Sequence, residues 1–133
     1  MKTVDFLDFF EFENKGKGQG RKIEDNECSV LVNEKNNTYY FRFPNDKFGY
    51  NKLRIGKSNG SIYFVLNKKN GIVGKNHTNQ SSNTSSFANK EAVITMLKIL
   101  DPSYNKKHHK CIFQFEIVDR NADEKVMRFI NVK

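Results

Sequence analysis

The chain of 133 residues contains no tryptophan, two cysteines and two prolines, and these shortages limit what it can be. Cys28 and Cys111 are too few for the disulfide framework of a small secreted protein, so we expect free thiols. No apolar run reaches the roughly 20 residues needed to cross a bilayer, and the N-terminus lacks the charged-then-apolar pattern of a signal peptide. We therefore expect one soluble, cytoplasmic domain over residues 1–133.

Acidic residues are scarce in the middle of the chain. Residues 35–110 carry 14 Lys or Arg and three acids, a balance of +11, whereas the whole chain balances at +8. Lys outnumbers Arg by 18 to 5, which reflects AT-rich codons in part, but codon bias acts along the whole chain and does not explain a local excess. A positive surface of this size attracts polyanions, and nucleic acid is the first partner class that it suggests.

Catalytic and cofactor motifs are missing as well. The segment 16–22 lacks the Gly-Lys-Ser/Thr ending of a phosphate-binding loop. His108, His109 and Cys111 are close in sequence, but adjacent His side chains on an extended segment point to opposite sides, and the flanking lysines repel cations. We therefore expect no metal, no cofactor and no thiol enzyme. A nuclease, the remaining enzymatic alternative, needs paired carboxylates, and no spacing in the chain singles out a pair.

Alternating apolar and polar residues predict a sheet of about seven strands. The Asn59-Gly60 pair between two alternating runs is a strong hairpin signal, because both residues tolerate positive φ. Helical spacing of apolar residues predicts one main helix at about 87–100, capped by Asn89 or Ser86 and ended before Pro102. The predicted strands cover residues 4–13, 27–33, 38–43, 52–56, 61–66, 111–118 and 125–132, with 71–75 as a further short candidate.

Two polar segments predict flexible loops. Residues 15–22 have glycine at every second position, and residues 76–86 contain no apolar side chain that could be buried. The sum is an α+β fold: a mostly antiparallel curled sheet or partial barrel of about seven strands with one main helix. One helix covers only one face of such a sheet, so the other face is either wet or in contact with a partner.

Strand alternation also predicts a binding surface on that other face. If Tyr39, Phe41 and Phe43 face the core, then Tyr40 and Arg42 point outward, and the next strands repeat the pattern. Outward aromatic side chains stack on bases and cations hold phosphates, as on the sheet platforms that bind single strands. A one-residue slip would exchange the two faces. The predicted nucleic-acid-binding residues are Tyr40, Arg42, Lys52, Arg54, Lys57, Tyr63, Lys68, Lys69 and Lys75.

The sequence therefore predicts a small non-enzymatic protein that binds nucleic acid, single-stranded or with weak sequence preference, through this basic-aromatic face. The alternative is a protein-interaction module, an inhibitor or assembly component, that docks an acidic partner on the same surface. A third reading is a plain solvated face, since Lys also protects sheet edges from aggregation. Small size and AT-rich residue usage are in keeping with a phage or mobile-element accessory protein.

Overall fold

The computed structural model describes residues 5–6, 24–44, 48–78 and 83–133. Apart from residues 5–6, the strand predicted at 4–13 lies outside the described residues, and so does the loop predicted at 15–22. The elements in chain order are β1 (Asp5–Phe6), β2 (Glu27–Asn33), β3 (Thr38–Pro44), β4 (Lys52–Ser58), β5 (Ser61–Asn67), β6 (Ile72–Thr78), β7 (Asn83–Ala88), α1 (Lys90–Leu100), β8 (His108–Arg120) and β9 (Glu124–Val132).

Eight of the described strands close into an antiparallel barrel. The order around it is β4-β5-β9-β8-β2-β3-β7-β6, and a pairing between β6 and β4 returns to the first strand. Four consecutive hairpins supply these strands, and β1 pairs with the far end of β4. The predicted class, a mostly antiparallel sheet with one helix, is confirmed. Its detail differs, because the sheet is a closed barrel of eight strands and not a partial one of about seven.

The polar segment predicted as a loop at 76–86 is largely strand. β6 extends to Thr78 and β7 begins at Asn83, and β7 pairs with β3 on one side and β6 on the other. The small hydroxyl side chains of β7 do not prevent strand formation, because backbone amide and carbonyl groups make the hydrogen bonds between strands. Phe87 anchors the strand in the core, where its ring lies against Gly74: a Cβ on Gly74 would come within 2.8 Å of it.

Phenylalanine rings fill the barrel. The Phe64 ring lies 5.0 Å from that of Phe115 and 5.3 Å from that of Phe41, in the second case edge to face. Phe43 and Phe113 surround the same ring at 6.3 and 6.1 Å. All five are buried. Each buried ring of this size stabilises the fold by about 1.5–3 kcal/mol, so a few rings form a core although only 37% of the chain is hydrophobic.

The helix α1 packs its apolar face on this core next to β2 and β3. The Oδ1 atom of Asn89 accepts a hydrogen bond from the Ala92 amide at 3.0 Å, so Asn89 and not Ser86 is the cap. The helix begins at Lys90, later than predicted, because Phe87 and Ala88 belong to β7. At its end, the Asp101 amide donates to the Leu97 carbonyl. Within the described residues, α1 and the rest of the fold include no helix long and apolar enough for a membrane span.

Candidate nucleic-acid interface

The strand β4 divides its side chains between the core and the outer surface. Leu53 and Ile55 are completely buried in the barrel, and the two cations that alternate with them, Lys52 and Arg54, are partly exposed. Asn59 and Gly60 have positive φ angles of 50° and 80°, so the turn to β5 has the conformation that this pair of residues favours. The tight hairpin fixes the register of β4 and β5, and with it the side to which the cations point.

Closure of the barrel brings β6 beside these cations. Lys52 lies opposite Val73 in the β4–β6 pairing. Lys75 is exposed and follows two residues after Val73, on the same side of β6. Diagonal neighbours of this kind on paired strands have Cα atoms about 7–8 Å apart, which is within reach of long side chains. Lys75 therefore joins Lys52 and Arg54 on one outward surface.

The turn between β5 and β6 adds two more cations to this surface. The Asn67 side-chain oxygen accepts hydrogen bonds from the amides of Lys69 at 2.8 Å and Asn70 at 3.0 Å, which folds the turn back on itself. Lys68 and Lys69 are exposed on the folded turn. Five of the predicted residues are thus close together. We name them the β4–β6 basic face: Lys52, Arg54, Lys68, Lys69 and Lys75.

Among the residues that the structure describes, strand pairing brings few acids towards the β4–β6 basic face. The sequence has eight Lys or Arg and no Asp or Glu from residue 47 to residue 90. Any salt bridge to these cations must therefore come from other parts of the fold. Glu124 is the acid that the pairing brings closest, because it lies opposite Asn67, which in turn lies opposite Lys52. Among the described residues, strand pairing thus brings one carboxylate towards a face of five cations, of which Arg54 also has an interaction partner within the fold.

Tyr63 lies at the margin of the face. It is partly exposed on β5 and sits diagonally from Arg54, opposite Gly56, which has no side chain to cover it. Its other neighbour is Arg128 on β9, whose Nε atom lies 3.4 Å from the carboxylate of Glu116. Tyr63 is therefore the predicted aromatic residue that remains partly exposed.

The prediction that Tyr40 and Arg42 are exposed is wrong. Both side chains do point away from the aromatic core, as alternation requires, but they are only 2% and 3% exposed. Arg42 donates a hydrogen bond from Nη2 to the Tyr40 hydroxyl at 2.7 Å and lies over the Tyr40 ring. Burial raises the pKa of Tyr40, although the Arg42 charge opposes this. Strand periodicity tells which side a residue faces and does not tell whether that side is covered.

Lys57 is exposed but does not belong to the β4–β6 basic face. It lies on the same side of β4 as Leu53 and Ile55, and therefore on the opposite side from Arg54, near the end of the strand. In the pairing of β1 with β4 it lies opposite Asp5. Seven predicted residues thus remain accessible, and six of them share one outer surface.

A second group of polar side chains was not recognised from the sequence. Asp101, His109 and Cys111 each place a ligand-type atom within 4.8 Å of the other two. The His109 Nε2 atom lies 2.5 Å from the Asp101 Oδ2 atom. His109 and Cys111 are two residues apart on one strand and so share a side, a spacing that could have identified them. Asp101 comes from the end of the helix, and only the tertiary fold brings it close to His109 and Cys111.

Hydrogen bonds converge on the Asp101 carboxylate in this group. Burial by itself would raise the pKa of Asp101, but hydrogen bonds from His109 and Ser103 bring it below its usual value. Burial raises the pKa of Cys111 to about 12, and the Asp101 carboxylate adds to this effect. Cys111 and Cys28 are both free thiols. A thiol held in the protonated form is a poor nucleophile.

No protein-family model matches the chain, and comparison with curated proteins and with solved structures gave no match either. Its function is therefore inferred from its own geometry and charge.

Proposed function

We propose that the protein is a non-enzymatic nucleic-acid-binding protein that uses the β4–β6 basic face. The observation that carries the proposal is the closure of the barrel, which gathers Lys75 from β6, two cations from β4 and two from the β5–β6 turn. Cations clustered in this way bind the phosphate backbone through charge, release its counterions and accept any base sequence. Weak sequence preference is the expected behaviour.

Single strands are the preferred ligand. The outer surface of a closed barrel is convex, and a flexible strand can follow this curvature. A duplex has a persistence length of about 150 base pairs, so it contacts a strongly curved surface only along a short arc. Tyr63 at the margin offers one ring on which a base can stack, and such stacking contributes about 1–3 kcal/mol per base. With Tyr40 buried, charge supplies most of the affinity and stacking supplies less.

A nuclease is disfavoured by the same face. Metal-dependent cleavage of a phosphodiester needs carboxylates beside the bound phosphate. The segment that supplies the β4–β6 basic face contains none, and among the described residues Glu124 is the carboxylate that strand pairing brings towards it. Labelled strands incubated with the protein and Mg²⁺ or Mn²⁺ should remain intact. Cleavage that is abolished by Glu124→Gln would instead establish an enzyme.

The test is the salt dependence of binding to a labelled single strand. Each phosphate neutralised on a single strand contributes about −0.7 to the slope of log K against log salt, so five contacts predict a slope of about −3.5. The double variant Lys52→Gln/Lys75→Gln should weaken binding and reduce the slope to about −2.1. The matched control is Lys106→Gln/Lys107→Gln, which removes the same charge from the exposed loop after α1 and should leave the slope near that of the parent.

Two outcomes would overturn the proposal. One is binding that is undetectable at low salt or insensitive to salt. The other is an equal loss of affinity in both double variants, which would mean that net charge matters and the face does not. If nucleic acid fails to bind while a defined acidic protein binds in a manner that Lys52→Gln/Lys75→Gln abolishes, the interaction-module alternative takes its place.

Tyr63 has a separate test. Tyr63→Leu removes the stacking ring and keeps an apolar side chain, so affinity for a single strand should fall while the salt slope stays unchanged. Circular dichroism and urea unfolding check that the barrel is intact. A stacking role for Tyr63 is contradicted if the salt slope of Tyr63→Leu differs from that of the parent. It is also contradicted if the affinity of this variant for a single strand equals that of the parent.

A further inference from the structure

We propose that Asp101, His109 and Cys111 form a binding site for a divalent transition-metal ion of the zinc type. The three side chains offer a carboxylate oxygen, an imidazole nitrogen and a sulfur, all within 4.8 Å of one another. This mixture of borderline and soft ligands selects Zn²⁺ or Co²⁺ over Mg²⁺ and Ca²⁺, which prefer oxygen alone. The site is independent of the proposed nucleic-acid interface, because its residues follow α1 and lie on β8.

The geometry requires only small movements. Zinc binds sulfur at about 2.3 Å and nitrogen or oxygen at about 2.0–2.2 Å, so tetrahedral ligands stand roughly 3.3–3.6 Å apart. The present separation of 2.5 Å between His109 Nε2 and Asp101 Oδ2 would have to open by somewhat less than about 1 Å. The other separations between ligand atoms, which reach at most 4.8 Å, would have to close by at most about 1.3 Å. Three protein ligands leave a fourth position for water, as in zinc sites that bind a further molecule.

The backbone that carries the ligands is held in place. Asp101 is the C-cap of α1, and its other carboxylate oxygen, Oδ1, accepts hydrogen bonds from the Ser103 amide at 2.9 Å and hydroxyl at 2.7 Å. The Oδ2 atom is thereby directed to His109. On β8, His109 and Cys111 are paired with β2, opposite Val32 and Val30. Contacts of this kind orient metal ligands before the ion arrives.

Every proton can be accounted for when the metal ion binds. Without the ion, the Nε2–H of His109 points to Asp101, since Nδ1 accepts from the Asn105 amide at 3.2 Å. On binding, the Cys111 thiol releases its proton to solvent and its sulfur bonds the ion. The imidazole proton moves to Nδ1, so Nε2 bonds the ion and the exposed Asn105 contact is lost. The carboxylate and thiolate together balance the charge of the ion.

The neighbouring lysines weaken the site without preventing it. Lys106, Lys107 and Lys110 are exposed. Charges in solvent are screened over a Debye length of about 8 Å at physiological salt, whereas the partly buried ligands face the ion directly. Repulsion of this kind excludes weakly bound ions such as Mg²⁺ more readily than an ion bonded to a thiolate.

The experiment is a titration of the full chain, free of any purification tag, with Co²⁺. A bound Co²⁺ reports its ligands through thiolate-to-cobalt charge-transfer absorption and through the visible bands of tetrahedral coordination. We expect both signals, with saturation at one ion per chain, loss of the signals when Zn²⁺ displaces Co²⁺, and no displacement by Mg²⁺. Zn²⁺ should also raise the thermal midpoint of unfolding.

Matched variants identify the ligands. Cys111→Ser should abolish the charge-transfer band and weaken binding by about 100-fold or more, given that loss of even an outer-shell partner weakens metal sites about 10–100-fold. Cys28→Ala should keep the band. His109→Gln should weaken binding, whereas His108→Gln, which changes the adjacent exposed histidine, should not. Far-ultraviolet circular dichroism confirms that each variant is folded.

The proposal fails if the wild-type chain gives no thiolate band at stoichiometric Co²⁺, which needs no variant to be interpreted. It also fails if the band survives in Cys111→Ser, or if His108→Gln reduces affinity as much as His109→Gln. A surviving band would mean that a thiol other than Cys111 binds the ion, and equal effects of the two histidine variants would mean adventitious binding by exposed histidines. Either result would leave the Asp101 cluster a purely structural role.

Discussion

Gly71 is the position at which a single added methyl group should disturb both the barrel and the proposed interface. It precedes β6 and has a φ of +121°, a value that L side chains rarely adopt. A Cβ atom at this position would lie 2.3 Å from the Leu53 carbonyl oxygen and 2.8 Å from the Arg54 side chain. Leu53 and Lys52 are the β4 residues that pair with β6. Gly71→Ala therefore pushes apart the two strands that close the barrel.

The loss of stability can be estimated from two contributions. A residue forced into a sparsely populated backbone region costs about 1–3 kcal/mol. Overpacking against rigid backbone costs about 1–3 kcal/mol more. Gly71→Ala should therefore reduce the free energy of unfolding by about 2–6 kcal/mol. Gly60 is the matched control, since it also has positive φ, at +80°, but no atom within 4 Å of an added Cβ. Gly60→Ala should cost about 1–2 kcal/mol from strain alone.

Urea unfolding followed by circular dichroism measures both values. The same variants should be titrated with a labelled single strand below the unfolding transition. Because β4–β6 closure positions Lys75 beside Lys52, Gly71→Ala should lower affinity, and Gly60→Ala should leave it unchanged. Equal destabilisation by the two variants would refute the reasoning, since the contact with Leu53 would then have no effect. Unchanged affinity in a folded Gly71→Ala protein would refute the link between closure and the interface.

Two further predictions concern stability. Phe64→Ala should reduce the free energy of unfolding by about 3–5 kcal/mol, because it leaves a cavity among the core rings, and a urea midpoint close to the parent's would contradict the aromatic core. Acid should destabilise the protein. Burial would raise the pKa of Asp25, but hydrogen bonds and charges from Lys125 and Arg120 outweigh burial and bring the pKa below its usual 3.8. The pKa of Asp101 is lowered too. A carboxyl with a lowered folded-state pKa stabilises the protein above its unfolded pKa, and this contribution is lost as pH falls below about 5. Unfolding measured across this range should depend less on pH in Asp25→Asn.

Local patterns predicted most of the individual elements. The Asn59-Gly60 turn, the alternation along β3, β4 and β8, and the end of α1 before Pro102 depend on residues that are close in sequence. Their conformational preferences are local, so the sequence contains them directly. Alternation along β4 also predicted that Lys52 and Arg54 point away from the core, because side chains on a strand alternate with a fixed period of two.

The misassigned segments depend on distant partners. β7 has few apolar residues, and its strand conformation comes from backbone hydrogen bonds to β3 and β6. Tyr40 and Arg42 face away from the core and are nevertheless buried. The period-two pattern contains no information about a covering layer, so the exposure of an outward residue could not be read from its own strand.

By itself, the sequence determined an antiparallel protein with one helix, a positive middle segment and no catalytic motif, because composition and short-range periodicity are properties of the chain. Only the tertiary structure decided that the sheet closes through β4 and β6, that Lys75 joins the cations of β4, and that Asp101 meets His109 and Cys111. These three outcomes require contacts between residues that are far apart in sequence. Such contacts are selected by the packing of the whole core, which no local pattern encodes.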